Sequence, residues 1–282
     1  MSDWKDAELP PQPMGPGGWL RVLVRGLVLG TVTFGGLGVL LLIRLIEAPV
    51  FAPRRPITAL ITQGVCRAAF PILGLRLTVT GTPMRHRGAV VANHSSWLDI
   101  FSLNAAQRVY FVSKSEVAAW PGIGWLARAT GTVFIARKGH QAKRQQQMFE
   151  DRLRMGHRLL FFPEGTSTDA TRVLPFKSTL FEAFYTHGLD QILHIQPVTV
   201  VYHAPKGQDA RFYGWWGDMD FAPHLLMTLA ARRQGAVEVI FHPELAVDQF
   251  ADRKALAARC EQIIRSAHPL ARLTDQMQSA NA

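Results

Sequence analysis

The sequence predicts an α/β sandwich of two or three layers around a mainly parallel or mixed central sheet, preceded by an N-terminal membrane-embedded helical hairpin. Three observations carry this expectation. Short β-branched, apolar runs alternate with longer helix-like stretches from residue 76 onward, a long uncharged run precedes them, and polar residues able to do chemistry stand at the ends of several of the short runs. At 282 residues and 48% hydrophobic content the chain holds one core of ordinary size plus an extra segment. The expected divisions are a mobile tail over residues 1–18, membrane-associated helices over 19–75 and a single α/β domain over 76–282.

The chain up to Gly18 is rich in Pro and Gly and has no hydrophobic period, as a tail would. From Gly26 to Ile43 it carries no charged residue, close to the lower edge of the ~17–25 apolar residues that span a bilayer. Gly26 and Gly30 form a G-x-x-x-G, and Gly35, Gly36 and Gly38 add small residues that let a second helix approach closely. That second helix is expected over Ile57 to Leu75, after the turn Pro53-Arg54-Arg55-Pro56. Arg67 and Pro71 interrupt it, which favours an embedded hairpin over two clean spans. Arginines on both flanks leave the orientation open.

Strand-like runs follow at 77–80, 89–91, 109–112, 132–135, 159–162, 198–201 and 237–241, with helical stretches near 99–106, 120–129, 141–155, 179–186, 224–233 and 249–267. The formal net charge of +10 fits nucleic acid or an anionic membrane surface. No zinc-knuckle, RNP-like or helix-turn-helix pattern accompanies it, whereas long apolar stretches do, so a membrane and no nucleic acid is expected as partner. Cys66 and Cys260, far apart, point to a reducing compartment without a disulfide framework. The histidines lack H-E-x-x-H or comparable ligand spacing, so no metal and no cofactor is expected.

The chemistry centres on NHSSWLD, residues 93–99. Gly88-Ala89-Val90-Val91-Ala92 reads as a buried strand ending at His94, and Ser95 or Ser96 as the N-cap of a helix that carries Asp99 in its first turn. Asp99 can then fold back to the imidazole, fix its tautomer and leave the other nitrogen as a base. A His-Asp pair without a nucleophilic partner suits removal of a proton from a substrate hydroxyl that attacks an activated carbonyl. Ser95 and Ser96 are poor acyl-serine candidates, because G-x-S-x-G is absent and sequence neighbours rarely reach each other's ring nitrogen. Three further segments end or begin strands: GTVFIAR, closing on Arg137, then FFPEGT, whose Glu164-Gly165-Thr166 suits a sharp turn, and IQPV, with Pro197 at a strand start.

Together the blocks NHSSWLD, GTVFIAR, FFPEGTST and IQPV, in this order, resemble the glycerolipid O-acyltransferase family typified by 1-acylglycerol-3-phosphate acyltransferases, over roughly residues 75–245. The resemblance implies that residues 76–282 are an acyltransferase domain in which His94 deprotonates a lysolipid hydroxyl, Asp99 orients His94, and the thioester of an acyl carrier protein or coenzyme A is the acyl donor. It also implies that Arg137 and the Glu164-Gly165-Thr166 turn hold the polar head of the acceptor, Arg137 by a two-pronged bond to a phosphate or carboxylate. Glu164 is expected to accept a hydrogen bond from an acceptor hydroxyl or from Arg137. Where phosphatidic-acid-forming members carry Arg after E-G-T, this chain has Ser167. With the run from Ser167 to Ser178 and Tyr213-Gly214-Trp215-Trp216, that departure resembles the bacterial branch that acylates lyso-ornithine lipid to ornithine lipid. Arg172 or Lys177 can replace the missing cation, which keeps 1-acyl-sn-glycerol-3-phosphate, and hence phosphatidic acid as product, as the rival reading or a second substrate. The place expected for such an enzyme is the bacterial inner membrane, with the catalytic domain on the cytoplasmic face.

Overall fold

The computed structural model describes residues 4–10, 12–52, 54–135, 142–186 and 188–273. After a short 3-10 turn at Trp4–Asp6, helix α1 runs from Pro16 to Phe51, and α2 from Thr58 to Leu73. The α/β body then follows as β1 (Arg76–Thr80), β2 (Gly88–Ala92), α3 (Asp99–Ala106), β3 (Tyr110–Lys114), α4 (Ile123–Thr130), β4 (Val133–Ile135), α5 (Ala142–Arg154) and β5 (Leu159–Phe161). A 3-10 stretch at Ser178–Tyr185 leads to β6 (His194–His203), α6 (Phe221–Ala230), β7 (Ala236–Phe241), β8 (Leu245–Ala246) and α7 (Arg253–Ala267).

The strands form one sheet in the order β1-β7-β6-β2-β5-β3-β4, with β8 paired to β6. All neighbours are parallel except β6 with β7 and with β8. The alternation of side chains along β2 decides the layering. Val90 and Ala92 join a core with Phe70 and Leu73 of α2 and Leu103 of α3, whereas Ala89 and Val91 join one with Phe149 of α5 and Leu256 and Ile264 of α7. The sandwich therefore has three layers, and β2, buried throughout at its centre, reads as an unbroken apolar run.

The N-terminal hairpin differs from expectation in three particulars. First, α1 is 36 residues long, well beyond the uncharged run 26–43, though its largely exposed apolar side chains, among them Trp19, Leu23, Leu27, Leu42 and Ile46, agree with a membrane anchor. Second, α2 faces the body: Cys66, Ala69, Phe70 and Leu73 belong to the core, and Arg67 donates through Nε to the Ala105 carbonyl at the end of α3 at 2.9 Å. Arg67 is thus a cap on a neighbouring helix, not a charge facing lipid. Third, of the glycines in α1 only Gly36 lies hard against α2, where a Cβ would fall 2.4 Å from Val65 Cγ2, while Gly30, Gly35 and Gly38 have open space around them. The tail, too, makes contacts. The Arg172 guanidinium sits 4.7 Å from the centroid of the Trp4 ring, and Gln12 bonds to Gln208 at 2.8 Å.

Candidate active site

The carboxyl ends of β2 and β5 lie side by side, and the segments after them build the site, as open α/β sheets gather their ligands. Beyond β2, the Asn93 side chain continues the pairing with β6. It donates to the Val200 carbonyl at 2.9 Å and accepts from the Val200 amide at 2.8 Å. The following turn is pinned from two further loops: the His94 carbonyl accepts from the Thr168 amide at 2.9 Å, and the Ser95 carbonyl from the Trp215 amide at 2.9 Å.

His94 Nδ1 and Asp99 Oδ2 are 2.7 Å apart. Ser95 and Ser96 do not cap α3 as expected, since Leu98 occupies the cap position without a side-chain bond. The capping runs the other way. Asp99 Oδ2 accepts the Ser95 and Ser96 amides at 2.8 and 3.0 Å, and Asp99 Oδ1 accepts the Tyr202 hydroxyl at 2.7 Å. With no exposed side-chain surface, the carboxylate is compensated by four donors rather than by water. Nδ1–H donating to Asp99 leaves Nε2 with the lone pair, and 21% of the His94 side chain remains exposed. Phe162, directly after β5, stacks on the imidazole at 4.0 Å and 10°, which fixes the plane of the ring. Burial, and then the charge of Asp99, push the Tyr202 hydroxyl well above its ordinary pKa, so Tyr202 is a permanent donor here.

Glu164 is placed between the two turns. Its Oε1 accepts the His94 amide and its Oε2 the Leu174 amide, both at 2.7 Å, and the residue is 1% exposed. Both oxygens are turned to the main chain, so the carboxyl ties the β2 turn to the β5 turn. Burial lifts it to about 8, against the pull of the two amides, which favour the anion. Gly165 takes φ +73, and a Cβ there would lie 3.0 Å from Lys177 Nζ. Thr166 and Lys177 are exposed at this turn. Arg172 is already spent: it binds the buried Asp169 through Nε and Nη2, at 3.0 and 2.8 Å. Arg137 lies outside the described residues.

The structure thus brings together His94, Asp99 and Glu164 with Gly165 and Lys177 beside them, gives Asn93, Phe162 and Thr168 of the same blocks supporting roles that their sequence did not assign, and adds Tyr202 from outside the blocks. One signal for Tyr202 was present. It shares the inward face of β6 with Val198 and Val200, and a phenol in that row requires a buried partner.

An acyltransferase family model matches residues 76–201. A lyso-ornithine lipid O-acyltransferase from Rhodobacter capsulatus is 60% identical over 94% of this chain and 95% of its own length. One of the same name from Rhizobium meliloti is 34% identical over 88% and 85%. The crystal structure of a 1-acyl-sn-glycerophosphate (LPA) acyltransferase from Thermotoga maritima has the same fold, with a TM-score of 0.61 at 20% identity, over 93% of this chain and 96% of that one.

Proposed function

The chain belongs to the acyltransferase family, and from that premise we propose that it moves a fatty acyl group from an acyl carrier protein or coenzyme A thioester to the free hydroxyl of lyso-ornithine lipid, forming ornithine lipid. The observation that carries the mechanism is the His94 ring, held at Nδ1 by a fully compensated Asp99 and stacked on Phe162. Nε2 takes the proton of the acceptor hydroxyl as its oxygen attacks the thioester carbonyl. Asp99 stabilises the imidazolium so formed. Collapse of the tetrahedral intermediate forms the ester and expels the thiolate, which takes the proton back from Nε2. Glu164 acts at one remove, setting the position of the His94 main chain.

The choice of acceptor rests on charge. Ser167 stands where a cation would face a phosphomonoester, and Arg172 is neutralised by Asp169, which suits a less anionic head. Lys177, exposed beside Gly165, is what supports 1-acyl-sn-glycerol-3-phosphate as a second acceptor. The exposed apolar face of α1 supports a membrane location, in our reading the bacterial inner membrane with the catalytic domain on the cytoplasmic side.

The test is an assay of the purified protein with lyso-ornithine lipid and lysophosphatidic acid side by side, each with both acyl donors. Lyso-ornithine lipid is expected to be the faster acceptor; a strong preference for the phosphate-bearing lipid would reverse the assignment. His94→Ala is expected to abolish transfer while leaving folding and membrane binding intact, and undiminished turnover would remove His94 as the base.

A further inference from the structure

A groove of about 400 Å³ lies between α1 and α4. Its walls combine Leu37, Leu41 and Trp125 with three guanidinium groups, Arg44, Arg55 and Arg128. Gly131, against which Arg55 and Tyr110 both pack, stands just before β4, and Tyr110 opens β3, whereas His94 follows the carboxyl end of β2. All these strands run parallel, so the groove lies towards their amino ends and the catalytic site at their carboxyl ends.

The arginines are fixed in place rather than left to sway. Arg55 donates to the Ala129 carbonyl, Arg128 to the Ala118 carbonyl, and Arg44 to the Arg54 carbonyl at 3.2 Å. The carboxylate that Arg44 meets, Glu47, is already engaged by the Thr58 hydroxyl and the Ile57 and Thr58 amides as well, and no acidic residue is among those lining the groove. Behind Gly131, whose carbonyl accepts from Arg152 at 3.0 Å, the excess of positive charge continues. His157, 6% exposed, has neither ring nitrogen hydrogen-bonded. Burial first, then Arg152, Arg55 and Arg54, push it down to about 4. Such a cationic wall opens beside side chains that face outward: Trp125 is 61% exposed, and Leu41, Leu42 and Leu45 of α1 are exposed as well.

We infer that this groove binds one anionic phospholipid, with the phosphate against Arg44, Arg55 and Arg128 and the first acyl carbons along Leu37, Leu41 and Trp125. The site is separate from the acceptor site and anchors the α1–α2 hairpin and α4 to the leaflet. Guanidinium suits a phosphate by paired N–H donors, and an indole beside it suits the level of the headgroups.

The experiment is native mass spectrometry of the full chain in a neutral detergent, with phosphatidylglycerol or phosphatidylcholine added. The expected result is one retained phosphatidylglycerol per chain, held in preference to phosphatidylcholine. Arg55→Gln with Arg128→Gln should weaken its retention about thirtyfold, at about 1 kcal/mol for each cation removed. Arg55→Lys with Arg128→Lys, which keeps the charge but not the paired donors, should retain the lipid better than the glutamine variant and less well than the wild type, whereas Lys254→Gln with Arg259→Gln on exposed positions of α7 should leave retention unchanged. Acyl transfer to micellar acceptor reports whether each variant is folded, since neither arginine belongs to the catalytic machinery. Equal retention of the two lipids, or unchanged phosphatidylglycerol binding by the folded glutamine double variant, would overturn the inference.

Discussion

Glu164 serves the site through the main chain. Each of its oxygens accepts one amide, from His94 and from Leu174, so Glu164→Gln leaves one of them facing an NH2 group in a buried place. The expected cost is about 1–3 kcal/mol of stability, read by denaturant unfolding, with a matching fall in turnover. The wild-type carboxyl adds a pH signature. Raised from the usual 4.5 to about 8 in the folded chain, it holds a proton that the unfolded chain has released between those values. Stability should therefore fall as pH rises through that window, and the Gln variant should lose this part of the slope. An identical slope in both proteins would show that Glu164 folds as a plain anion. Tyr202 offers a second residue-scale expectation. Tyr202→Phe removes a donor from Asp99 Oδ1, so the carboxylate holds the imidazolium more tightly. Turnover should drop with KM little changed and the fold intact by denaturant unfolding, a split that loss of packing alone would not produce. The histidine and aspartate were legible in NHSSWLD because side-chain chemistry is local. Their supports, Tyr202 and Asn93, were not, because each depends on which strand lies next to β2.

At the scale of elements, strands and helices were legible nearly throughout, since β-branched apolar runs such as Gly88–Ala92 and Ala236–Phe241 and the longer stretches between them carry distinct periods. The antiparallel entry of β7 beside β6 left no such trace, because strand direction is decided by the connection through α6. The α1–α2 contact was legible only by kind: the sequence offers several glycines, and packing selects one. Gly36→Ala is expected to push against Val65 and lower the unfolding temperature in detergent, because a Cβ at 2.4 Å from a stiff Val methyl forces the helices apart. Gly30→Ala, with no atom within 4 Å, is expected to be neutral or to stabilise by up to about 1 kcal/mol through helix propensity. Equal shifts for the two variants would show that the helices do not meet at Gly36.

For the whole molecule the open matter is how α1 meets the bilayer. A helix of 36 residues is about 54 Å long at ~1.5 Å per residue, more than the ~30 Å of a hydrocarbon core, so length alone permits a crossing. Packing argues otherwise. The first half of α1 rests on α6, where Arg21 and Arg25 donate to the Ala230 and Leu229 carbonyls at 2.7 and 2.8 Å, and the second half rests on α2 at Gly36 and on α4, where Phe34 meets Gly122. Contacts with the body in both halves of α1 favour an in-plane placement over a crossing. On that packing we expect α1 to lie in one leaflet, with its outward row of Leu, Val and Phe in the acyl chains and Trp19, Trp120 and Trp125 available for the headgroup level. Both ends of α1 are then on the same side of the membrane. Cysteines placed at Pro13 and at Ala52, exposed positions before and after the helix, should both react with an impermeant maleimide from the same face in oriented vesicles. The native Cys66 and Cys260, which are buried, should stay silent. Labelling of the two ends from opposite faces would require α1 to detach from α6, and would replace an in-plane anchor by a transmembrane one.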